Sequence, residues 1–351
     1  MSSVEERIAA LVAVALAWRE PDHPARAEAV ARTLEADNRY TEEMLAFALN
    51  QAMHQVTEQA LMLWLDGRSA SSAQRVSVWT GDPEPLAGWR DLLAVMLVGH
   101  RGLVRLPDSS PHLLPAFVEE LETLLANVQV TVVGAQSLDR LPDGVEAVLG
   151  SGDDSTMDAL GAACEDAGLD ASRCLLRGEQ VAVGVLGGGE SAGERIGLAE
   201  DVLLYGGVGR HTVKLIWAPA EQSPDPLLDA FAGFRELMPA HPSMNGTLQM
   251  PRAFLAAADT PHAWGEGFLV SWGEPSVQQP GHLRWAPYED LREVATWLVA
   301  HADTFSIVVA SPRVGERLAW PGPVVEPGDA HRPPLVGAPG LDDPIALLAR
   351  L

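Results

Sequence analysis

Apolar positions recur at helical spacing through the first seventy residues. Met44, Phe47, Ala48, Met53, Val56, Leu61, Leu63, Trp64 and Leu65 form a broad stripe that stops at Gly67. The stretch opens on Asn38-Arg39-Tyr40-Thr41-Glu42-Glu43, with Thr41 in the capping position and carboxylates in the first turn. A turn-rich patch at Ser69–Ala73 then leads into a strand at Val76–Trp79. Beyond it the period alternates. Leu92–Leu97, Pro111–Asn127 and Thr156–Ala167 read as helices, and Gly102–Leu106, Val128–Val133, Ala147–Leu149 and Val181–Val185 as strands. Strands alternating with helices of this length predict a doubly wound parallel sheet, with ligands at the carboxyl ends of its strands.

The texture changes after Asp201. Leu203–Tyr205 runs into the glycine loop Gly206-Gly207-Val208-Gly209, followed by a strand at Val213–Trp217. Pro226–Leu237 and Tyr288–Ala300 read as helices, Phe268–Trp272 and Ser306–Ala310 as strands. The expected division is a helical segment over 1–70, a Rossmann-like nucleotide-binding domain over 71–200, a smaller α/β domain over 201–310, and a tail over 311–351. The tail, rich in proline and glycine, is expected to pack over the fold or on a neighbouring subunit.

Composition narrows the function classes. At 351 residues the chain suits two domains, and 47% hydrophobic residues suffice for a sizeable core. A net charge of −24 argues against nucleic acid as a partner. Lys214 is the one lysine; every other strong base is arginine. The N-terminus lacks the basic start of a signal peptide, and the apolar run Ile8–Trp18 is too short to span a bilayer. A cytoplasmic, reducing compartment is therefore expected. Cys164 and Cys174 make no disulfide framework, and the histidines show no metal-type spacing.

Few motifs stand out. Gly187-Gly188-Gly189-Glu190-Ser191 lacks the Lys-Ser/Thr of a phosphate loop and reads as a turn. Gly206–Gly209 stands out because Arg210-His211-Thr212 follows it directly, at the expected domain junction.

Read in order, the segments resemble the acyl-CoA reductase branch of the aldehyde dehydrogenase superfamily, the bacterial luminescence type. Asp91–Pro115, DLLAVMLVGHRGLVRLPDSSPHLLP, is similar to that family's helix, Gly-His-Lys, strand and loop. Thr80-Gly81-Asp82 with Pro83–Pro85 resembles its Ala-Gly-Asn-x-Pro turn, and Gly150-Ser151-Gly152 its Gly-Ser-Asn turn. Arg177 through Ser191, Leu198 through Tyr205, His241 to Leu255, Gly267–Val270 and Gly340-Leu341-Asp342 continue the match, as does Asn38–Thr41.

The resemblance implies an α/β aldehyde-dehydrogenase-like fold and NADPH-dependent reduction of a fatty acyl-CoA to an aldehyde. A cysteine thiolate would take the acyl group, and hydride from the cofactor would release the aldehyde. It places the cofactor on Arg105, Ser109, Gly150 and Ser151, and the active-site loop on Gly206, Gly207, Gly209, Arg210 and His211. The family loop reads Gly-x-Gly-Cys-Arg-Asn-x-Ser-Lys, whereas this chain reads Gly207-Val208-Gly209-Arg210-His211-Thr212-Val213-Lys214. The nucleophile position between Gly209 and Arg210 is vacant, and Asp82 stands where an asparagine amide would hold the oxyanion. Three readings follow: a reductase acting by direct hydride transfer, a non-catalytic binder of acyl-CoA or nucleotide, and a structural partner of an active paralogue in a homo- or hetero-oligomer.

Overall fold

The computed structural model describes residues 3–36, 38–81, 83–106, 110–125, 130–133 and 140–351. Four helices open the chain: α1 (Val4–Ala17), α2 (Pro24–Glu35), α3 (Glu42–Gln55) and α4 (Glu58–Leu65). Their starts are capped as their residue types require. Ser3 and Glu6 form a reciprocal capping box, and the Thr41 and Thr57 hydroxyls accept from the N–H groups of Met44 and Ala60.

A first sheet follows, built from β1 (Arg75–Thr80), β2 (Arg101–Arg105), β3 (Val130–Val133), β4 (Ala147–Ser151) and β5 (Cys174–Arg177). Its order is β3-β2-β1-β4-β5 and every pairing is parallel. The intervening helices are α5 (Trp89–Val98), α6 (Leu113–Leu124) and α7 (Asp154–Asp166). Beyond Arg90 and Asp91, helix α5 is apolar on every side because it lies between the sheet and the N-terminal helices, whose Leu11, Met44 and Leu49 share one core with Leu92, Val76 and Val104. Helix α7 packs on the opposite face, against Trp79 and Val148. The chain thus leaves β1 and β4, which are neighbours, toward opposite faces, and that is the switch point where doubly wound sheets bind ligands.

The second sheet contains β6 (Val181–Val185), β7 (Val213–Pro219), β8 (His262–Gly265), β9 (Phe268–Trp272), β10 (His282–Tyr288), β11 (Phe305–Ala310) and β12 (Val324–Val325). Its order is β12-β11-β6-β7-β10-β9-β8, parallel except for β8 against β9. Helices α8 (Ala192–Leu203), α9 (Asp225–Leu237), α10 (Ser243–Ala257), α11 (Leu291–Ala300), α12 (Pro312–Gly315) and α13 (Pro344–Leu348) complete the chain. Both faces of the central strands are covered, so β6 and β7 read as near-continuous apolar runs.

Three features differ from the sequence reading. The change of sheet falls at 178–180, so β6 pairs with β7 and β11 rather than with the first sheet. Tyr288 ends strand β10, and α11 begins only after the Asp290 cap. Helix α10, where the sequence reading assigned no element, continues through Pro251. Among the described residues no helix is long and apolar enough to cross a membrane.

Candidate ligand site at the sheet junction

The carboxyl ends of β4 and β5 face the loop that enters β7, and a cavity of about 230 Å³ lies between them. Ser151 and Arg177 line it from the first sheet, Arg210 and His211 from the loop, Gln51 and Gln55 from α3, and His331 from the tail.

The floor is held by a buried ion pair. Arg177 Nη1 and Nη2 donate to the two Asp91 carboxylate oxygens at 2.8 and 2.9 Å, with side chains 7% and 6% exposed. The geometry is bidentate, the arrangement a planar guanidinium favours. Asp91 also sits in the first turn of α5, where the helix dipole favours a negative charge. Beside it, the Arg90 guanidinium lies over the Trp64 ring and donates to the carbonyls of Pro334 and Leu335 at 3.0 and 2.7 Å, tying the tail to α5.

The loop itself is sharply folded. Tyr205 holds a left-handed backbone at φ 55°, and Gly206, Gly207 and Gly209 follow at 71°, 76° and 109°. A side chain at 207 would begin 2.5 Å from the backbone nitrogen of Gly281, so only glycine fits there. At 209 the same space is taken by the Glu84 carboxylate. Arg210 turns away from the loop and donates from Nη1 to the Gly178 carbonyl at 2.9 Å and from Nη2 to Gln180.

His211 is buried, and its Nε2 has no hydrogen-bond partner among the described residues. Burial, with His331 and Arg210 nearby, pushes its pKa down to about 3, so the imidazole is neutral at physiological pH. His331 behaves alike: burial lowers it to about 4, against the opposing effect of its 3.3 Å bond to the Asp201 carbonyl. Asp201 lies one layer behind. Its carboxylate accepts from the N–H groups of Gly328 and Ala330 at 2.7 and 3.2 Å, yet burial raises its pKa to about 8.

Of the residues the sequence singled out, the structure brings Ser151, Arg210 and His211 to the cavity. Arg105 does not join them. It is level with Trp79 and Gly150, one step before Thr80 and Ser151, and the pleat sends alternate side chains to opposite faces. Arg105 therefore lies over the Trp79 ring on the α7 side, 4.9 Å from its centroid. Gly150 is structural: a Cβ there would meet Leu160 and Leu176 at 2.8 and 2.9 Å. Gly206 packs on Met244 rather than lining the cavity. Asp82 and Ser109 lie outside the described residues.

Sequence reasoning missed Glu84, Arg90, Asp91, Arg177, Asp201 and His331. One signal was present: Asp91 and Arg90 interrupt an otherwise apolar helix. Neither thiol is near the cavity, since Cys164 and Cys174 belong to the α7–β5 cluster, and burial drives Cys164 up to about 12. Ser271 and His282 meet at 2.7 Å, but both are buried and neither lines the cavity.

No family model matches this sequence, and no curated protein does. Solved structures of aldehyde dehydrogenases do resemble the fold. Aldehyde dehydrogenase 21 of Physcomitrella patens, in complex with succinate, superposes with a TM-score of 0.73 at 10% identity, covering 99% of this chain and 84% of that one. An aldehyde dehydrogenase of Brucella melitensis gives 0.68 at 12% identity over 93% and 78%. The substrate-bound Staphylococcus aureus AldH gives 0.65 at 12% over 92% and 81%. The chain has the aldehyde dehydrogenase fold: a Rossmann-like sheet of β1–β5 joined to a second, larger sheet.

Proposed function

We propose that this chain is a non-catalytic, acyl-CoA-reductase-like protein of the aldehyde dehydrogenase fold. It takes the acyl end of a thioester, or the matching aldehyde, in the junction cavity, and a nicotinamide dinucleotide at the β1–β4 switch point. One observation carries the reading: the cavity has its polar fittings but no thiol, and the two thiols of the chain lie elsewhere, in the α7–β5 cluster. Arginine cannot replace the nucleophile, having no lone pair to offer. The cavity, smaller than the roughly 300–1,000 Å³ of drug-sized sites, suits the reacting end of a ligand and not a whole coenzyme A.

The dinucleotide reading is supported by two buried polar atoms without partners among the described residues, Thr80 Oγ1 and Arg105 Nε, at the carboxyl ends of β1 and β2. Arg105, on the α7 face, would bind phosphate or ribose oxygens, and the Thr80 hydroxyl, on the opposite face, would meet a different part of the ligand. When bound, such a cofactor supplies hydride. The chain's own residues then position both ligands, with Arg177–Asp91 fixing the cavity floor and His211 offering a neutral imidazole.

Incubation with a long-chain acyl-CoA followed by intact-mass spectrometry tests the first half. Binding without an acyl adduct is expected; an adduct on Cys164 or Cys174 that NADPH converts to aldehyde would refute it. Calorimetry with NADPH tests the second half, with Arg105→Ala expected to weaken binding about tenfold or more. Equal affinity in both proteins removes Arg105 from the site.

A further inference from the structure

The two thiols of this chain pack in one apolar cluster. Cys164 lies in the last turns of α7, and Cys174 opens β5. A helix returning to a parallel sheet runs antiparallel to the strand that follows it, so its last turns lie beside the start of that strand. The short connection enforces this. The Leu169 N–H donates to the Cys164 carbonyl at 3.0 Å, and the Arg173 N–H to the Asp170 carbonyl at 2.9 Å. The two side chains pack in one apolar cluster with Met157, Leu160 and Ala163, and the Cys174 thiol donates to the Asp170 carbonyl at 3.8 Å. Cys164 is 3% exposed, whereas Cys174 is half-buried and reaches solvent.

We propose that Cys164 and Cys174 form an oxidisable dithiol, which a peroxide converts to a disulfide that staples α7 to β5. The half-buried Cys174 sulfur, as thiolate, attacks the peroxide O–O bond; that bond breaks, one oxygen leaves as water and a sulfenic acid remains on Cys174. The Cys164 sulfur then displaces the sulfenic oxygen, which leaves as the second water. Two thiols and one hydrogen peroxide thus give one disulfide and two waters; the sulfurs lose two electrons and the peroxide gains them. The distance of the pair from the junction cavity makes this modification independent of the ligand reading.

Burial raises both thiols above their ordinary range, which sets the pace. Thiolate is the reacting form, so oxidation is slow at pH 7 and quickens as pH rises to 9. The same shielding makes the disulfide, once formed, slow to meet a reducing thiol.

The full chain is treated with hydrogen peroxide at pH 7, 8 and 9, unfolded, alkylated and weighed. Untreated protein should take two labels. Oxidised monomer should take none, be lighter by two hydrogens, and melt about 5 °C higher until dithiothreitol restores it. Cys174→Ser should abolish the intramolecular bond and leave one label on Cys164. The proposal is overturned if both thiols still alkylate after peroxide treatment, if Cys174 advances to sulfinic acid with Cys164 intact, or if the disulfide joins two molecules. These readouts need no ligand, so their failure leaves the cavity reading untouched.

Discussion

Glu84 and Gly209 decide together what the loop can carry. A Cβ at 209 would stand on the Glu84 carboxylate, and Gly209 holds φ at 109°, where a side chain is strained whatever the space. Two penalties therefore add on substitution. The steric one lies at the end of a flexible side chain and can be relieved; the backbone one, about 1–2 kcal/mol, cannot. Gly209→Ala should lower the melting temperature, and Gly209→Ala with Glu84→Ala should recover part of the loss. Thermal unfolding of the two variants checks this, and full recovery in the double variant would show that backbone strain is absent. The carboxylate beside Gly209 occupies the space a side chain there would need.

Among the elements, the tail shows how much of the site lies outside any one motif. Its residues Gly328 and Ala330 cap the Asp201 carboxylate of α8, and His331 returns beside the cavity. These groups link stability to pH with opposing signs. Asp201 is raised from 3.8 to about 8, so its contribution is present at low pH and lost as pH rises through 8. Glu200, raised by burial despite its pairing with Arg332, acts in the same direction. His211 and His331 fall from 6.5 to about 3 and 4, so theirs is present above 6.5 and lost as pH falls. The strap should be most stable near about pH 6.5, and Asp201→Asn should flatten the alkaline limb. Melting temperatures from pH 4 to 9 would show it; an unchanged alkaline limb in the variant would remove Asp201 as its source. The alternation of strands and helices was legible because each element's apolar period is local. Ser151, Arg210 and His211 were legible because they flank a sheet end or a glycine loop. The opposite-face placement of Arg105 depends on strand register, and the Asp91–Arg177 pair on topology that joins residues far apart in sequence, so neither was readable. Helix α10 was hidden by Gly246 and Pro251, whose propensities its packing through Met244 and Leu248 overrides.

For the whole molecule, the electrostatics divide into a crowded exterior and one paired interior. The net charge of −24 comes from 48 acidic against 24 basic residues, so the surface repels itself. Exposed pairs such as Arg140–Asp143, at 80% and 89% exposure, offset little of this. Salt shortens the Debye length from about 30 Å at 0.01 M to about 3 Å at 1 M and screens that repulsion. The Arg177–Asp91 pair, largely buried, is screened much less. Its loss acts through a different route, because Arg177→Ala leaves the Asp91 carboxylate buried and uncompensated, at a cost of about 3–5 kcal/mol. Two effects that both pass for electrostatic stability therefore separate on one axis. Between 0.01 M and 1 M sodium chloride the wild-type melting temperature should rise, and that of Arg177→Ala should rise in parallel from a lower start. Converging curves would mean that salt reaches the pair, and that the cavity floor is wetter than its burial indicates. A wild-type melting temperature that falls with salt would mean that surface ion pairs, rather than repulsion, dominate the exterior.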